Sequence, residues 1–171
     1  MDRPYRRHRP ILATLAGGLA AGALDIASAL VLTAMRGRDP VVVLHYIASG
    51  VLGREAFPGT PAIAMLGLAL HFLITCVAAG MYVAASRRLP ALVLQPLRFG
   101  AAYGVAVWAV MHLVVVPLSA VPNEVTFTLR GVATQLAIHV ACVGWPIALT
   151  AARWSGAVRS RAGAASLAAA R

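Results

Sequence analysis

The sequence contains no lysine, and only five of its 171 residues are acidic. Charged residues of every kind make up 12% of it, against about 25% in a typical soluble domain. That deficit excludes an ordinary soluble surface. Cysteine is scarce as well: Cys76 and Cys142 stand alone, with no C-x-x-C pair and no Cys/His metal spacing. A disulfide framework is thereby excluded, and the two thiols read as small buried hydrophobes. Missing too are G-x-S-x-G, H-E-x-x-H, a phosphate-cradling Gly/Lys loop and a paired-carboxylate arrangement. Glu55 and Glu124 read as interfacial charges and not as a catalytic pair. Enzymatic chemistry of the soluble type is not expected.

What fills the sequence instead is apolar: 60% of residues are hydrophobic and the mean hydropathy is +0.80. A helix that crosses a bilayer needs about 20 consecutive apolar residues. Four runs meet that length, at about 11–35, 62–85, 99–118 and 131–152. A fifth run, Val41–Leu52, is free of charge but only 12 residues long. It then breaks at Gly53-Arg54-Glu55, Phe57-Pro58-Gly59 and Pro61, all helix-ending chemistry. The expected fold is an all-α membrane protein with four transmembrane helices and a short outer re-entrant or interfacial helix within 41–61. A basic cap (1–10) precedes the four-span domain (11–152), and an Ala/Gly/Ser/Arg-rich tail (153–171) follows it.

A basic start before an apolar run also describes a signal peptide, and Ala27-Ser28-Ala29 has the small-x-small pattern of a cleavage site. The apolar run continues through residues 30–35, where a mature N-terminus turns polar, so an uncleaved first span is the expectation.

The formal charge of +10 raises the question of nucleic acid. Its distribution answers otherwise. All fifteen basic residues are arginine, and they gather at span ends. With the N-terminus in the cytoplasm, the inner side holds Arg3, Arg6, Arg7, Arg9, Arg87, Arg88, Arg98, Arg153, Arg159, Arg161 and Arg171. The outer side holds Arg36, Arg38, Arg54 and Arg130. This bias alternates through all four spans and is a topology signal. It places both termini inside and the 41–61 segment outside. Tyr82, Phe99, Tyr103 and Trp154 then suit the inner interface, and Tyr46, Phe57 and Phe127 the outer one.

Close packing of membrane helices relies on small residues. Gly18-x3-Gly22 in the first span and Gly100-x3-Gly104 in the third are the candidate seams, either within the bundle or between two copies of the chain. Pro146, inside the fourth span, cannot donate to the carbonyl of Cys142 and predicts a kink.

Each span also carries a polar residue that is costly in lipid: Asp25 in the first, with Ser28 three residues on; His71 in the second, flanked by Gly67 and Thr75; His112 in the third, after Trp108; Gln135 and His139 in the fourth, followed by Cys142. At about 1.5 Å per residue, His112 lies roughly 9 Å from the outer helix end, His139 roughly 12 Å, Asp25 roughly 15 Å and His71 roughly 16 Å. A carboxylate at that depth faces the bundle interior and takes histidine as its natural partner. The candidate site is therefore a polar cluster of Asp25, His71, His112, Gln135 and His139, beneath an outer lid that includes His45, Ser49, Gly53, Arg54 and Glu55, with Gly50, Gly53 and Gly59 as hinges. Three readings compete: a satisfied network that fixes helix order, a pathway for protons, ions or small solutes, and a haem site with His112 and His139 as axial ligands. One histidine per span and none in the inner half departs from diheme four-helix cytochromes. No cofactor or metal is expected. The implied surroundings are a lipid bilayer, with a homo-oligomer or a membrane partner protein as the open alternatives and no nucleic acid.

Several stretches resemble an uncharacterised family of small four-span bacterial inner-membrane proteins: Tyr46-Ile47-Ala48-Ser49-Gly50, Leu52-Gly53, Ala56-Phe57 and Gly59; Leu66-Gly67-Leu68 with His71-Phe72; Tyr103-Gly104; Met111; Val115-Val116-Pro117-Leu118-Ser119-Ala120; and His139, Gly144 and Pro146. The resemblance covers most of residues 11–152. It implies the span count and a bacterial inner membrane, and it transfers no catalytic residue. His45 stands where that family's pattern leads one to expect glutamine.

Overall fold

The computed structural model describes residues 9–122 and 128–155. The remainder of the basic cap with Arg3, Arg6 and Arg7, the loop residues Asn123, Glu124 and Phe127, and the tail arginines Arg159, Arg161 and Arg171 lie outside the described residues. Among the described residues the regular structure is entirely helical. We number the helices α1 (Pro10–Met35), α2 (Val41–Leu52), α3 (Pro61–Ser86), α4 (Ala91–Leu94), α5 (Pro96–Leu118) and α6 (Leu129–Trp154). Helices α1, α3, α5 and α6 are each long and apolar enough to cross a membrane. The architecture is that of an all-α, multi-pass membrane protein.

Local chemistry fixes the helix ends. Proline opens α1, α3 and α5, where a missing N–H leaves no helical bond unmade. The hydroxyl of Thr60 accepts from Ile63 N–H to cap α3, and that of Thr128 accepts from Gly131 N–H to cap α6. Gly37, at φ +70°, turns the chain out of α1. Gln95 leaves helical geometry only briefly between α4 and α5, so the third span starts at Pro96, three residues before the expected edge.

The spans pack antiparallel through their small residues. On α1, a Cβ added to Gly18 would meet Cys76 Cα of α3 at 2.6 Å, and one on Gly22 would meet Phe72 and Thr75 at 2.7–2.8 Å. Gly100 and Gly104 of α5 approach the backbone of α6 just as closely, at Gly144 and at His139–Val140. Both glycine pairs named from the sequence are thus consumed by seams within one chain. Helix α6 joins the two halves, because it also packs on α1 around Gly17 and Ile147. Leu19, Leu73, Met81, Val105 and Leu149 are exposed, which gives the bundle an apolar outer surface.

Two of the aromatic residues pack and bond within the protein. Tyr82 is 2% exposed and meets Tyr103 edge to face, with ring centroids 4.9 Å apart. The Tyr82 hydroxyl donates to the Leu92 carbonyl at 2.9 Å and the Tyr103 hydroxyl to the Ala78 carbonyl at 2.7 Å. Each hydroxyl is satisfied by the protein's own backbone, and both rings pack into or against the core. Tyr103→Phe is expected to lower stability by about 0.6 kcal/mol, as intramembrane hydrogen bonds average. Reversible unfolding in mixed micelles reads this directly.

A local departure from the α-helix lies in α5 and α6. Residues Met111–Val115 and His139–Gly144 are π-helical, with Val116 N–H reaching back to Met111 and Trp145 N–H to Val140. In both cases the next residue is proline, Pro117 or Pro146. A proline ring clashes with the carbonyl four residues earlier and offers it no N–H, and a widened turn just upstream relieves the clash. Upstream of Pro146, where the sequence predicts a kink, the helix carries a π turn, and Pro117 follows another.

Candidate functional site

Both π turns begin at or beside a histidine of the expected cluster. His112 follows Met111, and His139 opens the second turn. Their rings meet edge to face with centroids 6.0 Å apart. On the other side of the bundle, His71 Nε2 lies 3.9 Å from Asp25 Oδ2. Asp25, His71 and His112 all lie within electrostatic reach of His139, and Asp25 also of Cys142. Four helices therefore contribute to one polar centre. Helix α6 begins at Leu129, so Asp25, His71 and His139 each sit ten residues from the same end of the bundle. That is a depth of about 15 Å.

Backbone carbonyls set the ring orientations. A carbonyl oxygen only accepts, so each ring nitrogen bonded to one carries the proton. His112 Nδ1–H donates to the Trp108 carbonyl at 3.0 Å, and His139 Nδ1–H to the Gln135 carbonyl at 3.0 Å. When neutral, both rings present Nε2 as a bare acceptor. His71 is the reverse: its Nε2–H donates to the Gly22 carbonyl at 3.0 Å, leaving Nδ1 as the acceptor. Trp108 stacks on His112 with centroids 5.1 Å apart and fixes that ring further.

The carboxylate of Asp25 is the least compensated group. Its side chain is 19% exposed, and it receives no hydrogen bond from another described side chain. Ser28, three residues on, donates instead to the main-chain carbonyl of Asp25. An acid in this setting costs several kcal/mol unless it is protonated or faces a cation. His71 is that partner, because a single proton placed on either member leaves the pair neutral overall. His71 and His139 are each 9% exposed.

Gln135 enters the site through its carbonyl, which holds His139. Pro117 and Pro146, which widen the helices at the two facing histidines, are absent from the cluster expected from the sequence. Their spacing is the signal that points to them: Pro117 stands five residues after His112, and Pro146 seven after His139. The carbonyls of Gly22 and Trp108 give no signal, since any residue supplies one.

The expected lid is a real helix. The Leu44 carbonyl lies directly on Gly67, where any side chain would collide with it. Gly67 precedes His71 by four residues and shares its face of α3, so α2 docks one turn nearer the start of α3 than His71. At its other end the Gly50 carbonyl accepts from Ala120 N–H at 3.0 Å, and a Cβ on Gly53 would lie 3.5 Å from the Ala120 carbonyl oxygen. Helix α2 thus runs from α3 to the end of α5. Ser49 is fully buried, with its hydroxyl donating to the Tyr46 carbonyl at 2.7 Å. Arg54 and Glu55 are exposed on a 3-10 turn at Gly53–Ala56. The His45 ring presses on Gly59, where an added Cβ would lie 2.6 Å from it, and His45 Nε2 is buried with no hydrogen-bond partner among the described residues. Gly53 and Gly59 hold φ values of +62° and +56°, which side-chain-bearing residues adopt at a cost. Gly50, the third expected hinge, is helical.

No family model, no curated protein and no solved structure matches this chain. Among the described residues, no three His, Cys, Asp or Glu side chains are arranged to hold a metal ion.

Proposed function

We propose that this membrane protein is a non-enzymatic conductor of protons or of a small polar solute through the Asp25–His71–His112–His139 centre, with α2 as its cover. The observation that carries the reading is the Asp25–His71 pair, 3.9 Å apart and about 15 Å deep by helix rise, beside two histidines whose acceptor nitrogens are set by backbone carbonyls. A network built only for rigidity would bond its carboxylate. Histidine exchanges protons near neutral pH, and intramembrane acids mark pathways. The unpartnered Nε2 of His45 supports a cover that opens, because a buried polar atom without a partner costs about 1–3 kcal/mol in the closed position.

The arginine bias and the family resemblance support a bacterial inner membrane with both termini in the cytoplasm. In that orientation α2 and the cluster face the periplasm. The second reading is an envelope assembly partner in which the cluster only orders the helices. It draws on the three histidine–carbonyl bonds, which are satisfied by backbone alone.

Flux in liposomes separates the two. Purified protein with an internal pH-sensitive dye is expected to dissipate an imposed proton gradient faster than empty vesicles do. Asp25→Asn and His71→Ala are each expected to return the rate to that of empty vesicles. Proton flux that both variants leave unchanged removes these residues from the path.

A further inference from the structure

A second feature lies at the opposite end of the bundle, away from the polar centre. A cavity of about 240 Å³ opens between α1 and α3, lined by Ile11, Thr14, Leu15, Gly80, Val83 and Arg87. Its lining is mostly apolar and includes Arg87. A smaller recess of about 20 Å³ shares Val83 and Arg87 and adds Arg9, Ser86 and Trp154. Ile11 and Leu15 are exposed, so the cavity opens sideways through apolar residues onto the surface that faces lipid. Gly80 creates the space: a Cβ there would meet only Thr14 Cγ2, at 3.5 Å.

Among the described residues the charge at this end is one-sided. Arg9, Arg87, Arg88, Arg98 and Arg153 all lie here, whereas the described acids are Asp25 at the polar centre and Asp39 and Glu55 at the other end. The only ion pair among the described residues is His71 with Asp25. Arg87 on an apolar slot, with Arg9 on the adjoining recess, matches a molecule with an anionic head and an acyl tail. Free phosphate has no reason to prefer a site entered from the lipid side.

We propose that the α1–α3 cavity is a binding site for an anionic phospholipid, with the headgroup phosphate between Arg9 and Arg87 and an acyl chain along Gly80 and Val83. Trp154, on the adjoining recess, suits that depth as an interfacial aromatic. The site stands independently of the transport reading.

Native mass spectrometry of the full-length protein in detergent tests this, with added phosphatidylglycerol, phosphatidylcholine or inorganic phosphate. Phosphatidylglycerol is expected to stay bound in preference to phosphatidylcholine, and phosphate alone to leave no adduct. Arg87→Gln is expected to weaken phosphatidylglycerol about fivefold, the effect of one arginine near a membrane surface. Arg88→Gln removes the same charge but lines neither cavity, and it is expected to change nothing. Gly80→Leu fills the slot and is expected to reduce retention of both lipids. Arg87 is exposed, so its variant tests the site even if Gly80→Leu folds poorly. Equal retention of the two lipids overturns the proposal, as does an equal loss in the Arg87 and Arg88 variants or an adduct with phosphate alone.

Discussion

Leucine in place of Gly104 is expected to force α5 from α6 and to leave little folded protein. A Cβ at Gly104 would stand 2.5 Å from the His139 carbonyl oxygen and 2.7 Å from Val140 Cα. Both are backbone atoms, which cannot swing aside as a side chain can. Gly144 faces the same seam, and a Cβ there would lie 2.8 Å from Gly104 N. Overpacking costs about 1–3 kcal/mol, and a substitution that must push one backbone off another belongs near about 3 kcal/mol. The same displacement carries His139 away from His112, so any surviving protein is expected to have lost its flux. Gly80→Ala is the matched control, since its Cβ has room, and is expected to stay within about 0.5 kcal/mol of the parent. Reversible unfolding in mixed micelles measures both. A Gly104→Leu protein as stable as the parent would mean that α5 and α6 do not meet at this seam.

The second large effect is expected from fastening α2 to α5. A Cβ built on Gly50 lies 3.9 Å from Ser119 Cβ. Disulfides span Cβ separations of about 3.5–4.5 Å. Gly50→Cys with Ser119→Cys is therefore expected to oxidise readily, and the existing hydrogen bond from Ala120 N–H to the Gly50 carbonyl already holds the two segments together. Cys76→Ala and Cys142→Ala first remove the native thiols, which are free and on different helices. Loss of maleimide labelling after mild oxidation, restored by reductant, reports the bond. If the pair resists oxidation, α2 does not reach the end of α5.

The four spans are legible in the sequence because lipid leaves few alternatives: an apolar run of that length, even one interrupted by Asp25, must be helical, and these end near arginine or proline. The two glycine seams are legible for a related reason, since only a missing Cβ lets helices touch at Gly18–Gly22 and Gly100–Gly104. Helical spacing places Asp25, His71, His112 and His139 at similar depth, and the structure brings them together. Pairing is less legible. His112 meets His139 because α5 packs on α6, and Asp25 meets His71 because α1 packs on α3, and helix order is a tertiary fact. The π turns show a similar limit. Pro117 and Pro146 announce a disturbance, yet whether it becomes a bend or a widened turn is not fixed by the proline alone. Composition does not reveal that the Tyr82 and Tyr103 hydroxyls bond to the carbonyls of Leu92 and Ala78, since any residue supplies a carbonyl. The seat of α2 on Gly67 is hidden too, because a helix too short to span is placed by what it touches.

Flux through the fastened protein, before and after reduction in the same liposomes, tests the central claim most directly. Sequence, amount and orientation are then identical in the two states, and only the freedom of α2 differs. A cover over a conducting polar centre predicts flux near that of empty vesicles while the Gly50–Ser119 link is oxidised, and recovery to the parent rate once it is reduced. Equal flux in the two states would contradict a covering role for α2. Flux no faster than that of empty vesicles in either state, or in the parent, would contradict conduction itself and leave the cluster as an ordering device for the bundle.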